Sequence, residues 1–89
     1  MIDNVEKEVI SIVSDVSGFD VDEISLETNI MKDLEVDSIK IIEITVAIEK
    51  KFKISVRDED VPKIATIKEA VDLTKKLIEQ KKIRNVETL

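Results

Sequence analysis

The 89-residue sequence contains no cysteine and no histidine, one glycine, one proline and, as its only aromatic side chains, two phenylalanines. Each absence closes off some chemistry. Without Cys or His there is no disulfide, no thiolate or imidazole nucleophile, no zinc site of the usual kind and no histidine general base. Two aromatic rings offer little for bases to stack on, and a net charge of −6 disfavours phosphate backbones, so nucleic acid is not an expected partner. No apolar run approaches the roughly 18 residues that cross a bilayer, and the first residues lack the basic-then-apolar pattern of a signal peptide. No membrane insertion and a cytoplasmic location are therefore expected. At this length the chain makes one domain, burying roughly 60% of its unfolded surface.

What is present is unevenly placed. Residues 1–16 carry a net −3, residues 17–37 a net −6 and residues 38–89 a net +3. The acidity precedes Ser38, and basic partner surfaces are the ones such a segment attracts.

Ile2, Val5, Val9, Ile12, Val13 and Val16 recur at intervals of three and four, which predicts a helix over about Asn4 to Ser17. Asp3 with Glu6 suits its start and Gly18 its end. From Gly18 to Asp37 the pattern is loop-like, with single apolar residues that serve as anchors and room for a short helical turn around Asp22 to Ile24. Its carboxylates do not make a calcium loop, because Ile24 stands where an EF-hand needs an oxygen ligand and no glycine follows; no metal site is expected.

Asp37 and Ser38 are both good N-cap residues, and no Gly or Pro interrupts Ile39 to Phe52, so the second long helix should begin here. The Ser38 hydroxyl then sits at a helix N-terminus, where unpaired amides and the helix dipole favour a phosphate on or beside it. The plain alternative is that Ser38 is only a cap. This helix carries two apolar stripes: Ile41, Ile44, Ile48 and Phe52 on one side of the serine, and Ile39, Ile42 and Val46 on the other. One stripe belongs in the core; the second is either buried by a neighbour or kept for a partner.

Asp58, Glu59 and Asp60 suit the first turn of a short third helix that Pro62 discourages from extending. Thr66 and Glu69 form a capping box for the last helix, with Ile67, Ala70, Val71, Thr74, Leu77 and Ile78 on its buried face. That helix should fade near Lys81 to Arg84. The fold class expected is all-α: a four-helix bundle with three longer helices, one short third helix and a long first loop, formed by residues 1–84 with a frayed tail at 85–89.

Asp33-Leu34, Asp37-Ser38-Ile39, Glu43, Ala47-Ile48-Glu49, Phe52, Asp58-Glu59, Lys63-Ile64 and Thr66-Ile67-x-x-Ala70-Val71 together resemble a discrete acyl carrier protein from the first helix to the last. The resemblance implies a carrier, not an enzyme, in which a separate phosphopantetheinyl transferase esterifies Ser38 with 4′-phosphopantetheine from coenzyme A. An acyl intermediate then rides on the arm's thiol as a thioester, which accounts for an activity without Cys or His. Asp37 would help position the transferase and its metal. The Ile41, Ile44, Ile48 and Phe52 stripe would line an acyl cavity. Ile39, Ile42, Glu43, Val46, Asp58, Glu59 and Asp60 would meet partners, namely synthase or ligase, ketosynthase and acyltransferase enzymes with basic patches, and the carrier would act as a monomer.

The chain also departs from that family. Glu35-Val36 stands where relatives commonly have Gly-Ala or another small pair, Ile39 replaces the usual Leu, and Lys40, Lys50, Lys51 and Lys53 stand where the helix is usually neutral or acidic. These lysines make a specialised pathway (polyketide, aminoacyl or modified acyl) an alternative to fatty-acid synthesis. An unmodified helical interaction domain is the alternative from another class.

Overall fold

Gly18 ends the first helix because it takes a φ of +84°, a conformation that only glycine adopts without strain, and its N–H donates to the Ser14 carbonyl at 2.9 Å. The computed structural model describes residues 4–87, and this helix, α1, spans Asn4–Ser17 as the periodicity predicts. The expected Asp3–Glu6 cap pair involves a residue outside that range.

The loop that follows is held by its apolar residues. A 3-10 turn at Val21–Glu23 packs on α1, and Ile24, Ile30, Leu34 and Val36 are buried. Each such side chain contributes roughly 1.5–3 kcal/mol of burial, enough to order a segment with little regular structure. Within it, where the pattern predicts only loop, lies a single α-turn, α2 (Ile30–Asp33). Asn29 caps it: its side chain accepts from the Lys32 amide at 2.9 Å, while its own N–H donates to Asp33 Oδ2 at 2.8 Å.

The third helix, α3 (Ser38–Phe52), packs on α1, and α1 packs in turn on the last helix, α4 (Ile67–Glu87). Between α3 and α4, Asp58–Lys63 forms 3-10 turns in place of an α-helix. Pro62 lies within it, where its missing N–H is tolerated because the bonds close from Asp60 to Arg57 and from Ile64 to Val61. The last helix runs further than expected. No Gly or Pro stops it between Ile67 and Glu87, so residues 85–87 are helical and only 88 and 89 of the expected tail lie outside the described residues.

One non-local contact sets the geometry of the bundle end. Asn29 and Thr66 form an antiparallel bridge, the Ile30 amide donates to Ala65 O at 2.9 Å, and the Ile67 and Lys68 amides donate to Thr28 O (3.1 Å) and Leu26 O (2.9 Å). The first long loop therefore closes the N-terminus of α4. The core between the helices holds Val9, Val13, Ile44, Ile48, Ile67 and Val71 among others. No strand occurs among the described residues, in keeping with the all-α expectation.

Candidate functional site

Asp37, not Ser38, is the N-cap of α3. Its backbone is extended (φ −82°, ψ 177°), its Oδ1 accepts from the Lys40 amide at 2.9 Å, and its carbonyl accepts from the Ile41 amide at 3.0 Å. That displaces Ser38 to the first helical position, exposed and with its hydroxyl bonded to no group among the described residues. A serine used only as a cap would have shown the opposite arrangement.

The N-termini of α3 and α4 differ in what happens to their leading amides. At α4 the Ile67 and Lys68 amides are taken by loop carbonyls and the Glu69 amide by Thr66 Oγ1 at 3.2 Å. Glu69 answers by accepting from the Thr66 and Ala65 amides at 2.9 and 3.1 Å, contacts that hold its carboxyl below the ordinary value, Thr66 contributing most. At α3 only the Lys40 amide is capped, and those of Ser38 and Ile39 have no acceptor among the described residues. An exposed hydroxyl beside two unpaired amides at the positive end of a 15-residue helix fits a phosphodiester. Such a group on Ser38 would be held by Ser38 and Ile39 N–H, with Asp37 fixing the turn.

Upstream, Leu34 and Val36 are both buried, and the intervening Glu35 takes a φ of +52°. Glu35 holds that conformation, which favours glycine, between two buried side chains. Val36 was not singled out as an anchor from the sequence; its signal was an apolar residue flanked by acids just before the cap.

The two stripes of α3 separate as expected. Ile44 and Ile48 are 2% exposed and Ile41 6%, with Phe52 half-buried at the edge of the core, whereas Ile39 is 68% and Ile42 55% exposed and Val46 is exposed beside them. Glu43 is exposed on the same side as Ile39. A groove of about 260 Å³ lies elsewhere, lined by Ile64, Leu73 and charged side chains of Asp60, Lys63, Glu69, Asp72 and Lys76, and includes none of the four residues of the inner stripe. Asp58, Glu59 and Asp60 lie together in the 3-10 segment, but Glu59 pairs with Arg57 at 3.2 Å and Asp60 with Lys63 at 3.4 Å.

The lysines that set this chain apart are not equivalent. Lys51 Nζ bridges to Glu8 on α1 at 3.3 Å, and Lys53 is the C-cap of α3 with a φ of +56°. At about 100° per residue Lys40 and Lys51 lie more than a quarter-turn from the Ile39, Ile42 and Val46 stripe, and Lys50 alone stands beside it. Lys81, which no local pattern marks, reaches from α4 to donate to the Lys53 carbonyl at 2.7 Å.

Comparison with known proteins bears on the same residues. A family model described as phosphopantetheine attachment site matches residues 7–74. The acyl carrier protein of Rickettsia bellii (strain RML369-C) is 38% identical over 74 residues, covering 83% of this chain and 86% of the relative. That of Petrotoga mobilis is 34% identical over 71 residues, covering 80% and 84%. Among solved structures, the apo doublet acyl carrier protein from prodigiosin biosynthesis superposes with a TM-score of 0.71 at 30% identity over 81% of this chain, which spans 35% of that longer protein.

Proposed function

The chain belongs to the acyl carrier protein family, and from that premise we propose that Ser38 is its point of phosphopantetheine attachment. The protein is a carrier and not an enzyme, and its cofactor is 4′-phosphopantetheine, whose terminal thiol supplies the thioester on which an acyl group travels. The observation that carries the assignment to Ser38 is its exposed, unbonded hydroxyl at the first position of α3, released from capping by Asp37. The family implies a phosphopantetheinyl transferase and acyl-handling enzymes as partners.

Within this reading, Asp37 serves twice, capping α3 and presenting a carboxylate to the transferase. Ile39, Ile42 and Val46 form the apolar part of the docking face, with Glu43 and the Asp58, Glu59 and Asp60 segment supplying charge for basic patches. Ile41, Ile44, Ile48 and Phe52 line the side toward which an acyl group turns. Monomeric operation in the cytoplasm belongs to the same proposal; the net charge of −6 supports it by keeping copies apart. No helix among the described residues is long and apolar enough to cross a membrane.

Intact mass after incubation with coenzyme A and a broad-specificity transferase tests the central assignment. The chain should gain the mass of one phosphopantetheine, and Ser38→Ala should gain none. A gain surviving in that variant would remove Ser38 from the role. A specialised pathway is the second reading, favoured by Lys50 beside the docking stripe, where a cation weakens attraction to the basic patches of general fatty-acid enzymes.

A further inference from the structure

The interior of the bundle is filled mostly by side chains branched at Cβ. Of the fourteen buried apolar side chains among the described residues, eight are Ile and four are Val, leaving Leu34 and Ala70. The buried polar residues, Thr45 and Thr74, are β-branched too, and each hydroxyl is tied to its own helix, donating to Ile41 O at 2.9 Å and to Ala70 O at 2.7 Å. In a helix a Val or Ile side chain keeps essentially one χ1 rotamer, so the part of this interior that the helices supply, Ile41, Ile44 and Ile48 of α3 among it, has few alternative packings. Side chains that bend more freely, Phe19, Leu26, Phe52, Leu73 and Leu77, share its partly buried margin with further Val and Ile.

A guest chain can enter such a core if side chains swing aside or if helices part. The first route is limited by the rotamers. The second is limited by ties between the elements: Glu8–Lys51 couples α1 to α3, Lys81 couples α4 to the end of α3, and the amides of Ile30, Ile67 and Lys68 join the first loop to the start of α4. The ion pair is exposed and weak, but the other contacts satisfy backbone groups that the helix ends and loop would otherwise leave open.

Resting on the reading of Ser38 as the attachment point, we propose that this carrier shelters short acyl groups only, and that Ile44 and Ile48 set the limit by their branching at Cβ. Longer chains stay outside the bundle, available to partners but not held by the carrier itself.

The test loads the full chain with acetyl, butanoyl, hexanoyl, octanoyl and decanoyl groups, each confirmed by mass, and follows the methyl resonances of Ile41, Ile44 and Ile48 with the melting temperature. Both should change with chain length up to butanoyl or hexanoyl and then stop changing. Ile44→Leu with Ile48→Leu keeps the volume while freeing χ1, and should carry the response through octanoyl; either single replacement serves if the pair does not fold. Responses that keep growing through decanoyl in the unaltered chain, a limit unmoved by the leucines, or methyls indifferent to every chain would each overturn the proposal. None of these touches the Ser38 assignment, which fails separately if no mass is gained from coenzyme A.

Discussion

Asp37→Ala and Ser38→Ala remove neighbouring side chains at one helix start, and only the first should cost stability. Asp37 provides the side-chain oxygen that caps α3, bonded to the Lys40 amide at 2.9 Å. Losing an N-cap costs about 0.5–2 kcal/mol, and the lost negative charge at a helix N-terminus acts in the same direction. For a domain of this size each kcal/mol corresponds to a fall of roughly 4–8 °C in melting temperature. The Ser38 hydroxyl makes no hydrogen bond among the described residues, and alanine is a better helix former, so Ser38→Ala should stay within about 0.5 kcal/mol of the parent. Thermal melts followed by far-ultraviolet circular dichroism, run on the unloaded proteins, measure the difference. Asp37→Asn refines it: the cap is kept and only the charge is lost, so stability should fall less than in Asp37→Ala while the transferase loads Ser38 more slowly. If Ser38→Ala melts as low as Asp37→Ala, the serine is part of the cap and the division of labour argued for these residues is wrong.

Gly18→Ala should destabilise by about 1–2 kcal/mol in urea titration, because its φ of +84° is left-handed and an added Cβ meets no atom within 4 Å, leaving backbone strain as the whole effect. Acid should weaken the α4 start. Glu69 has a depressed carboxyl, so its contribution is complete above the ordinary value of 4.5 and is lost as pH falls through the lower folded-state value; Glu69→Gln should flatten that part of a stability profile. Lys50→Glu should raise turnover by a general fatty-acid ketosynthase, most at low salt, whereas Lys51→Glu should cost stability by facing Glu8; equal turnover in Lys50→Glu would remove the support for a specialised pathway.

The parts of the molecule that local physics determines were legible in the sequence. The span of α1, the start of α3 and the opposed burial of Ile41, Ile44 and Ile48 against Ile39, Ile42 and Val46 all follow from periodicity and capping. Which of Asp37 and Ser38 was the cap did not follow, since both residue types suit the position and only the backbone decides between them. The α2 turn escaped because four residues are too few for a periodic signal, although Asn29 and Asp33 carry its capping chemistry. The end of α4 at Glu87 does not follow from periodicity, because the apolar stripe weakens well before any residue that stops a helix. Glu8–Lys51, Lys81 on the Lys53 carbonyl and the Thr66–Asn29 bridge join residues far apart in the chain, and no local pattern announces them.

The bridge between the first loop and α4 also bears on how the molecule comes together in time. Its bonds join residues 26–30 to residues 65–68, a closure of roughly 40 residues whose entropic cost falls due before α4 has a finished first turn. The loop cannot lock until α4 is in place, and the leading amides of α4 have no partners until the loop arrives. Ile30, Ile67 and Lys68 should therefore exchange their amide hydrogens as one cooperative unit, opening together or not at all. The path of the segment that leads to Ser38 is then secured by the last helix of the chain.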